Sequence, residues 1–125
     1  MSVLEKFANQ PYLNLETFRR NGDSMHTPVW FVQDGQKLYI RTMAESGKVK
    51  RVRNNPKVNV AVCEVDGRVM GEWVAGIGRE VRGEPEIELK VDQLLDVKYG
   101  ELKRDLARKA AQAGRKYTIL EISVS

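Results

Sequence analysis

Hydrophobic and polar residues alternate through much of the first half of the chain. In "YLNLETF" (12–18), Leu13, Leu15 and Thr17 fall on one side, and Tyr12, Asn14, Glu16 and Phe18 on the other, which is the period of a strand. Asn21–Gly22 marks a turn, "HTPVWFVQ" (26–33) a second strand, Asp34–Gly35 another hairpin turn and "KLYIRT" (37–42) a third strand. Ahead of them, Val3, Leu4 and Phe7 suit a short amphipathic helix. After Thr42 the period changes. Ser46 is placed to cap a helix that begins Gly47-Lys48-Val49, and Asn55–Pro56 ends it, because the residue before a proline is pushed out of helical geometry.

"KVNVAVCEV" (57–65) alternates again, with Val58, Val60 and Val62 on one face. Asp66–Gly67 then turns the chain into "RVMGEWVAGIGREVRG" (68–83), whose glycines at 71, 76 and 78 predict a bent, bulged strand. Pro85 and Glu86 open a helix with Ile87, Val91, Leu94 and Leu95 in one stripe. Tyr99–Gly100 breaks it. A second helix through Leu102, Leu106 and Ala110 ends at a Gly114 cap, and "KYTILEISVS" (116–125) is a last strand with Leu120, Ile122 and Val124 on one face. Five or six strands joined mostly by tight turns imply an antiparallel sheet, and glycine bends favour closure into a small barrel. A parallel α/β fold is disfavoured, since hairpins rather than helices join the early strands.

Composition narrows the class. A chain of 125 residues, 42% apolar and 30% charged, fits a single domain spanning 1–125. No apolar run approaches the roughly 20 residues that cross a bilayer, and "MSVLEKFANQ" lacks the basic-then-apolar order of a secretory leader. A cytoplasmic protein without a membrane partner is expected. Cys63 is the only cysteine and His26 the only histidine, so an internal disulfide, a cysteine cage and a histidine-rich metal site are all excluded.

The net charge of +4 and pI near 9.3 permit an anionic partner. Their distribution says more. Between Tyr39 and Val58, Arg41, Lys48, Lys50, Arg51, Arg53 and Lys57 face a single acid, Glu45. The first N–H groups of a helix lack internal partners and lie at the positive end of its dipole. Lys48 at such a start is unfavourable by roughly 0.3–1 kcal/mol unless an anion intervenes. Gly47 admits close approach and Ser46 adds a hydroxyl, so a phosphate site is one reading. A solvated basic helix is the other, and "SGK" is not a P-loop, lacking the upstream glycine and the following Ser/Thr.

Arg41-Thr42, then Ser46, Lys48, Arg51 and Arg53, then Pro56 and a valine-rich strand, resemble the pyridoxamine-phosphate-oxidase-like split-barrel superfamily. Within it, the chain is most similar to the small flavin- or deazaflavin-dependent reductases. "TPVWFVQDGQKLYIRT", "GRVMGEWV" and the late "KYG" support the resemblance, which runs in order from about Leu13 to the C-terminus. It implies a six-stranded antiparallel split β-barrel with short flanking helices, forming a homodimer with a cofactor in each of two interface grooves. It points to Arg41, Thr42, Ser46, Gly47, Lys48 and Arg51 around the cofactor phosphate. Thr27, Pro28, Val29 and Trp30 would line the ring, and Trp73 would reach it, from the partner chain if not its own. The cofactor would be FMN or the deazaflavin F420, with Lys50, Arg53 and Lys57 as spare cations for the F420 polyglutamate tail. The arginine–histidine segment that grips the pyridoxal substrate has no counterpart in "RKYTILEISVS", so vitamin B6 oxidation is not implied.

Hydride chemistry of this kind belongs to the cofactor and needs no protein nucleophile, so no catalytic side chain is assigned. His26 is read as a rim residue and Cys63 as a small buried one. Trp30 and Trp73 suit either a planar ligand or packing, Tyr99 packing, and "KRDLARKAAQAGRK" (103–116) a solvated helix. No nucleic-acid partner is expected, because the charges gather at one helix start rather than along a groove interleaved with aromatics. Two readings remain: an F420- or FMN-dependent oxidoreductase acting on a small organic acceptor, or a non-catalytic flavin, haem or tetrapyrrole binder on the same barrel.

Overall fold

A computed structural model describes residues 3–103 and 116–124. After a 3-10 turn at Val3–Phe7 come β1 (Leu13–Phe18), β2 (Ser24–Val29), β3 (Val32–Asp34) and β4 (Lys37–Met43). Helix α1 (Gly47–Asn54), β5 (Lys57–Val62), β6 (Val74–Val81), α2 (Pro85–Tyr99) and β7 (Tyr117–Val124) complete the order. All strand pairs are antiparallel, in one sheet ordered β2-β1-β5-β6-β7-β4-β3.

The order contains its own proof of closure. β2 and β3 are the two outermost strands, yet only Trp30 and Phe31 separate them in sequence. The three Cα steps from Val29 to Val32 span at most about 11 Å, so the edges must come together there and the sheet must curl into a barrel. The segment 26–33 is therefore not one strand, as its pattern suggests, but two, and the expected six strands become seven. Phe31 turns into the core at the link.

Alternation sorts the faces as the pattern predicts. Leu13, Leu15, Leu38, Ile40, Val58, Val60, Leu120 and Ile122 fill the interior, joined by Phe7 and by Val49 and Val52 of α1. The outer faces of β3, β4, β6 and β7 carry Val32, Tyr39, Val81 and Ile119, onto which α2 lays Val91 and Leu95. Two expectations are corrected. Of the long strand 68–83 only Val74–Val81 is a strand, the preceding loop meeting the end of β5 through the Cys63–Val69 bridge and a 2.8 Å bond from the Met70 N–H to the Val62 carbonyl. Gly76 and Gly78 are buried sites of close packing rather than bulges: a Cβ at Gly76 would lie 3.0 Å from the Ile122 side chain and from the Ser123 carbonyl. The helix expected through Leu106 and Ala110 to Gly114 lies outside the described residues.

Charges on the outer face of β6 and β7 are paired. Buried Glu121 accepts from Arg79 Nε (2.8 Å), Tyr39 Oη (3.0 Å) and Lys37 Nζ (3.1 Å). Burial alone would raise its carboxyl, but these donors outweigh burial and hold it below the usual range, while burial and Glu121 push the Tyr39 hydroxyl up to about 12. Glu80 takes Arg53 Nε at 2.7 Å and Thr118 Oγ1 at 2.7 Å, and Arg53 leads the groups that pull its carboxyl down to about 2.

A carboxylate depressed in this way stabilises the fold above its unfolded value, here 4.5, and loses that contribution as pH falls toward 2. Glu80→Gln should thus be less stable than wild type at pH 7 in urea unfolding, with the gap closing between about pH 4.5 and 2. A gap that stays constant across that range would contradict the assignment.

Candidate functional site

β3 is too short to cover β4. It pairs only with Lys37–Tyr39, leaving Ile40 to Thr42 without a strand partner on that side. β2, the other outer strand, is likewise open along its free side. A cleft lies between these two open edges, lined by Thr27, Pro28, Val29 and Trp30 on one side and Arg41, Thr42 and Met43 on the other. Lys48 of α1 closes one end, while Leu95, Lys103 and Tyr117 form the wall under α2. Its volume is about 260 Å³. Backbone polar groups on an unpaired edge need partners from water or a ligand, so this is a place where main-chain recognition is available.

Helix α1 forms where the sequence indicates. Ser46 is the N-cap in extended conformation, Val49 and Val52 anchor one face in the core, and Pro56 follows the Asn55 C-cap. No acid stands in its first turn. Ser46 Oγ is buried without a hydrogen-bond partner, so this hydroxyl does not cap the helix it begins. Lys48 Nζ donates to Thr42 Oγ1 at 3.1 Å, tying α1 to the end of β4. Arg51 Nε donates to buried Thr17 Oγ1 at 2.6 Å, and its guanidinium folds back so closely that a Cβ on Gly47 would lie 2.7 Å from it. Gly47 is needed for that approach.

The cations around the cleft are not equivalent. Arg41 is held by Asp92 at 3.1 Å and lies over the Tyr117 ring. Lys103 pairs with Asp92 at 2.6 Å and Asp96 at 2.8 Å. Among the described residues, no carboxylate pairs with Lys48 or Arg51. Burial, then the charge on Arg51, lowers the Lys48 amine, and burial with Arg19 lowers Arg51. Three cations thus line the cleft, two of them share the carboxylates, and Lys48 has only a neutral hydroxyl. A helix start, a desolvated ammonium and an unpartnered hydroxyl together form a built acceptor for an oxyanion.

The structure brings Thr27, Pro28, Val29, Trp30, Arg41, Thr42 and Lys48 to one cleft, and sets Ser46, Gly47 and Arg51 beside it at the helix start. Trp73 lies elsewhere, on the outer side of β2 with its ring 5.2 Å from His26, and does not line the cleft of its own chain. His26 is half exposed and bonded to Glu16 at 2.7 Å, and Cys63 is fully buried. Arg53 is not a spare cation, since Glu80 binds it through two nitrogens. Met43, Leu95, Lys103 and Tyr117 were not anticipated. Lys103 opens the run read as solvated, yet it is nearly buried in its ion pairs; the run's residues from 104 to 115 lie outside the described part.

A protein-family model for pyridoxamine 5'-phosphate oxidase matches residues 2–125. The fold is similar to that of HutZ, a heme storage protein from Vibrio cholerae (13% identity, TM-score 0.73), over 100% of this chain and 92% of that one. It is also similar to a FAD-binding protein from Mesorhizobium loti (20% identity, TM-score 0.68, 100% and 89% covered). An F420 reductase aligns with 18% identity and a TM-score of 0.64, covering 100% and 95% of the two chains. At these identities the likeness is one of fold. No curated protein matches the chain.

Proposed function

The chain belongs to the pyridoxamine 5'-phosphate oxidase family, and from that premise we propose that it binds a phosphate-bearing flavin or deazaflavin in the cleft between β2 and β4. The reading is of an oxidoreductase that uses FMN or F420 to move hydride to a small organic acceptor, the whole chain acting as one domain. The observation that carries it is Lys48: a half-buried ammonium at a helix start, hydrogen-bonded to a neutral hydroxyl and without a carboxylate partner among the described residues.

The residues present fit such a group. Lys48, Thr42 and Ser46 would hold the phosphate, with Arg51 supporting the charge from behind Gly47. Arg41 remains tied to Asp92, and lends the phosphate only what charge that pair leaves. The open edge at Thr27–Val29 offers backbone donors and acceptors to a polar ring edge, while Trp30, Met43 and Leu95 exclude water. A bound flavin or deazaflavin supplies a reversible hydride carrier, and the protein's contribution is binding, orientation and dryness. A haem reading finds less support: His26 and Cys63 both lie outside the cleft, and of the other axial-ligand types it holds only Met43 and Tyr117 among the described residues, the Tyr117 ring being covered by Arg41.

The site is read as shared between two copies of the chain. Ligand pockets usually enclose roughly 300–1,000 Å³, and this cleft falls below that range. Met70, Trp73 and Ile77 leave apolar side chains exposed on β6 and the loop before it. Trp73, turned away from its own cleft, would reach a cofactor only in the partner's.

Two outcomes are expected. Lys48→Ala should weaken FMN or F420 binding more than tenfold, that is by more than about 1.4 kcal/mol, as the roughly 1.5–3 kcal/mol of a charge-assisted hydrogen bond implies. It should leave riboflavin, which has no phosphate, nearly unchanged. Equal loss for riboflavin and FMN, or no loss for either, would contradict the phosphate assignment. Light scattering should give a dimer; a monomer that still binds the cofactor tightly would refute the shared site.

A further inference from the structure

A second cavity, of about 680 Å³, lies between the N-terminal 3-10 turn, the link at Phe31 and the C-terminal half of α2. Phe7, Phe31, Leu94 and Tyr99 make its walls largely apolar. Its size is well inside the range of small-molecule sites. At its mouth Val97 is 87% exposed and Leu102 63% exposed, apolar positions that no described contact covers.

Among the described residues lining it, Lys98 is the one that carries charge. Its Nζ donates to the Phe31 carbonyl at 2.7 Å and sits 3.5 Å from the Phe31 ring centroid. Among the described residues no carboxylate pairs with it. An ammonium has three donors, and among the described residues this one spends a single donor, on the Phe31 carbonyl. The Tyr99 hydroxyl, 3.1 Å from that carbonyl, has one hydrogen and lies closer to the Pro11 carbonyl, at 2.8 Å. Burial pushes the amine down to about 8, so it remains mostly charged at neutral pH although it is only half solvated. A lone cation with unspent donors beneath apolar walls complements a ligand with one anionic head and an apolar body.

We propose that this cavity binds a small amphipathic monocarboxylate, its carboxylate on Lys98 and its hydrocarbon between Phe31, Leu94 and Val97. A phosphate head is a poorer match, because one ammonium cannot serve a dianion. The cavity is separate from the cleft but adjoins it: Trp30, which lines the cleft, stacks on Tyr99 at 4.2 Å between ring centroids and 7° between planes. The assignment does not depend on which cofactor the cleft holds, or on its holding one.

Octanoate titrated into the full chain, followed by amide nuclear magnetic resonance, tests the proposal. The expected result is saturable shifts at Phe31, Lys98 and Leu102, affinity at least tenfold lower for Lys98→Met, affinity within threefold of wild type for Lys98→Arg, and octan-1-ol binding at least tenfold more weakly than octanoate. Lys98→Met takes the Lys98 donor from the Phe31 carbonyl; if that variant does not fold, the comparison of octanoate with octanol on the wild type decides. Equal binding of octanol, an unchanged Lys98→Met, or the absence of saturable shifts, as when a second copy fills the cavity, would overturn it. Shifts confined to Thr27–Trp30 and Lys48 would also overturn it, placing the carboxylate in the cleft and leaving the cofactor reading intact.

Discussion

The two-residue link at Trp30–Phe31 constrains everything else. It joins the first and last strands of one sheet, and no flat sheet permits that. Once the sheet curls, Phe31 is delivered to the core and Trp30 to the opening. β3, only three residues long, then leaves half of β4 bare across from β2. The split in the barrel is a direct consequence of strand lengths. It places two unpaired backbone edges face to face, which an unliganded barrel would ordinarily avoid by covering or charging them.

Charge is distributed over this frame unevenly. Where cations serve the fold they are matched: Arg53 on Glu80, Arg79 and Lys37 on Glu121, Lys103 on Asp92 and Asp96. Lys48 breaks the pattern. It is half buried at a helix start, near another cation, with a hydroxyl as its partner. Among the described residues, Lys48, Arg51 and Lys98 are partly buried cations without a carboxylate partner, and of these only Lys48 lines the cleft, where an anionic ligand would supply the missing charge. The same reasoning, applied to Lys98, singles out the second cavity.

Much of this was legible along the chain because the signals are local. Ser46 at the N-cap position (although its hydroxyl makes no capping bond), Val49 and Val52 three apart, and Pro56 after Asn55 define α1 without reference to the rest of the fold. Alternating leucines and valines assign the interior face of β1, β5 and β7. What escaped depended on partners far away in sequence. No glycine, proline or polar pair marks the break at Trp30–Phe31, since closure of the barrel imposes it. Gly76 and Gly78 carry the composition of a bulge, but their purpose is room for Ile122, some forty residues on. Lys103 has the surroundings of a solvated helix, and only the approach of Asp92 and Asp96 makes it a wall of the cleft. The family resemblance pointed to Arg41 as a phosphate ligand, yet it could not say that Asp92 already claims that side chain.

The central claim is that a cofactor phosphate completes the charge on Lys48. A crystal structure of the protein with bound FMN tests it most directly. The account predicts a phosphate oxygen within hydrogen-bonding distance of Lys48 Nζ and of the start of α1, with the ring against Thr27–Trp30. A phosphate bound elsewhere, with Lys48 still bonded only to Thr42 and facing solvent, would contradict it.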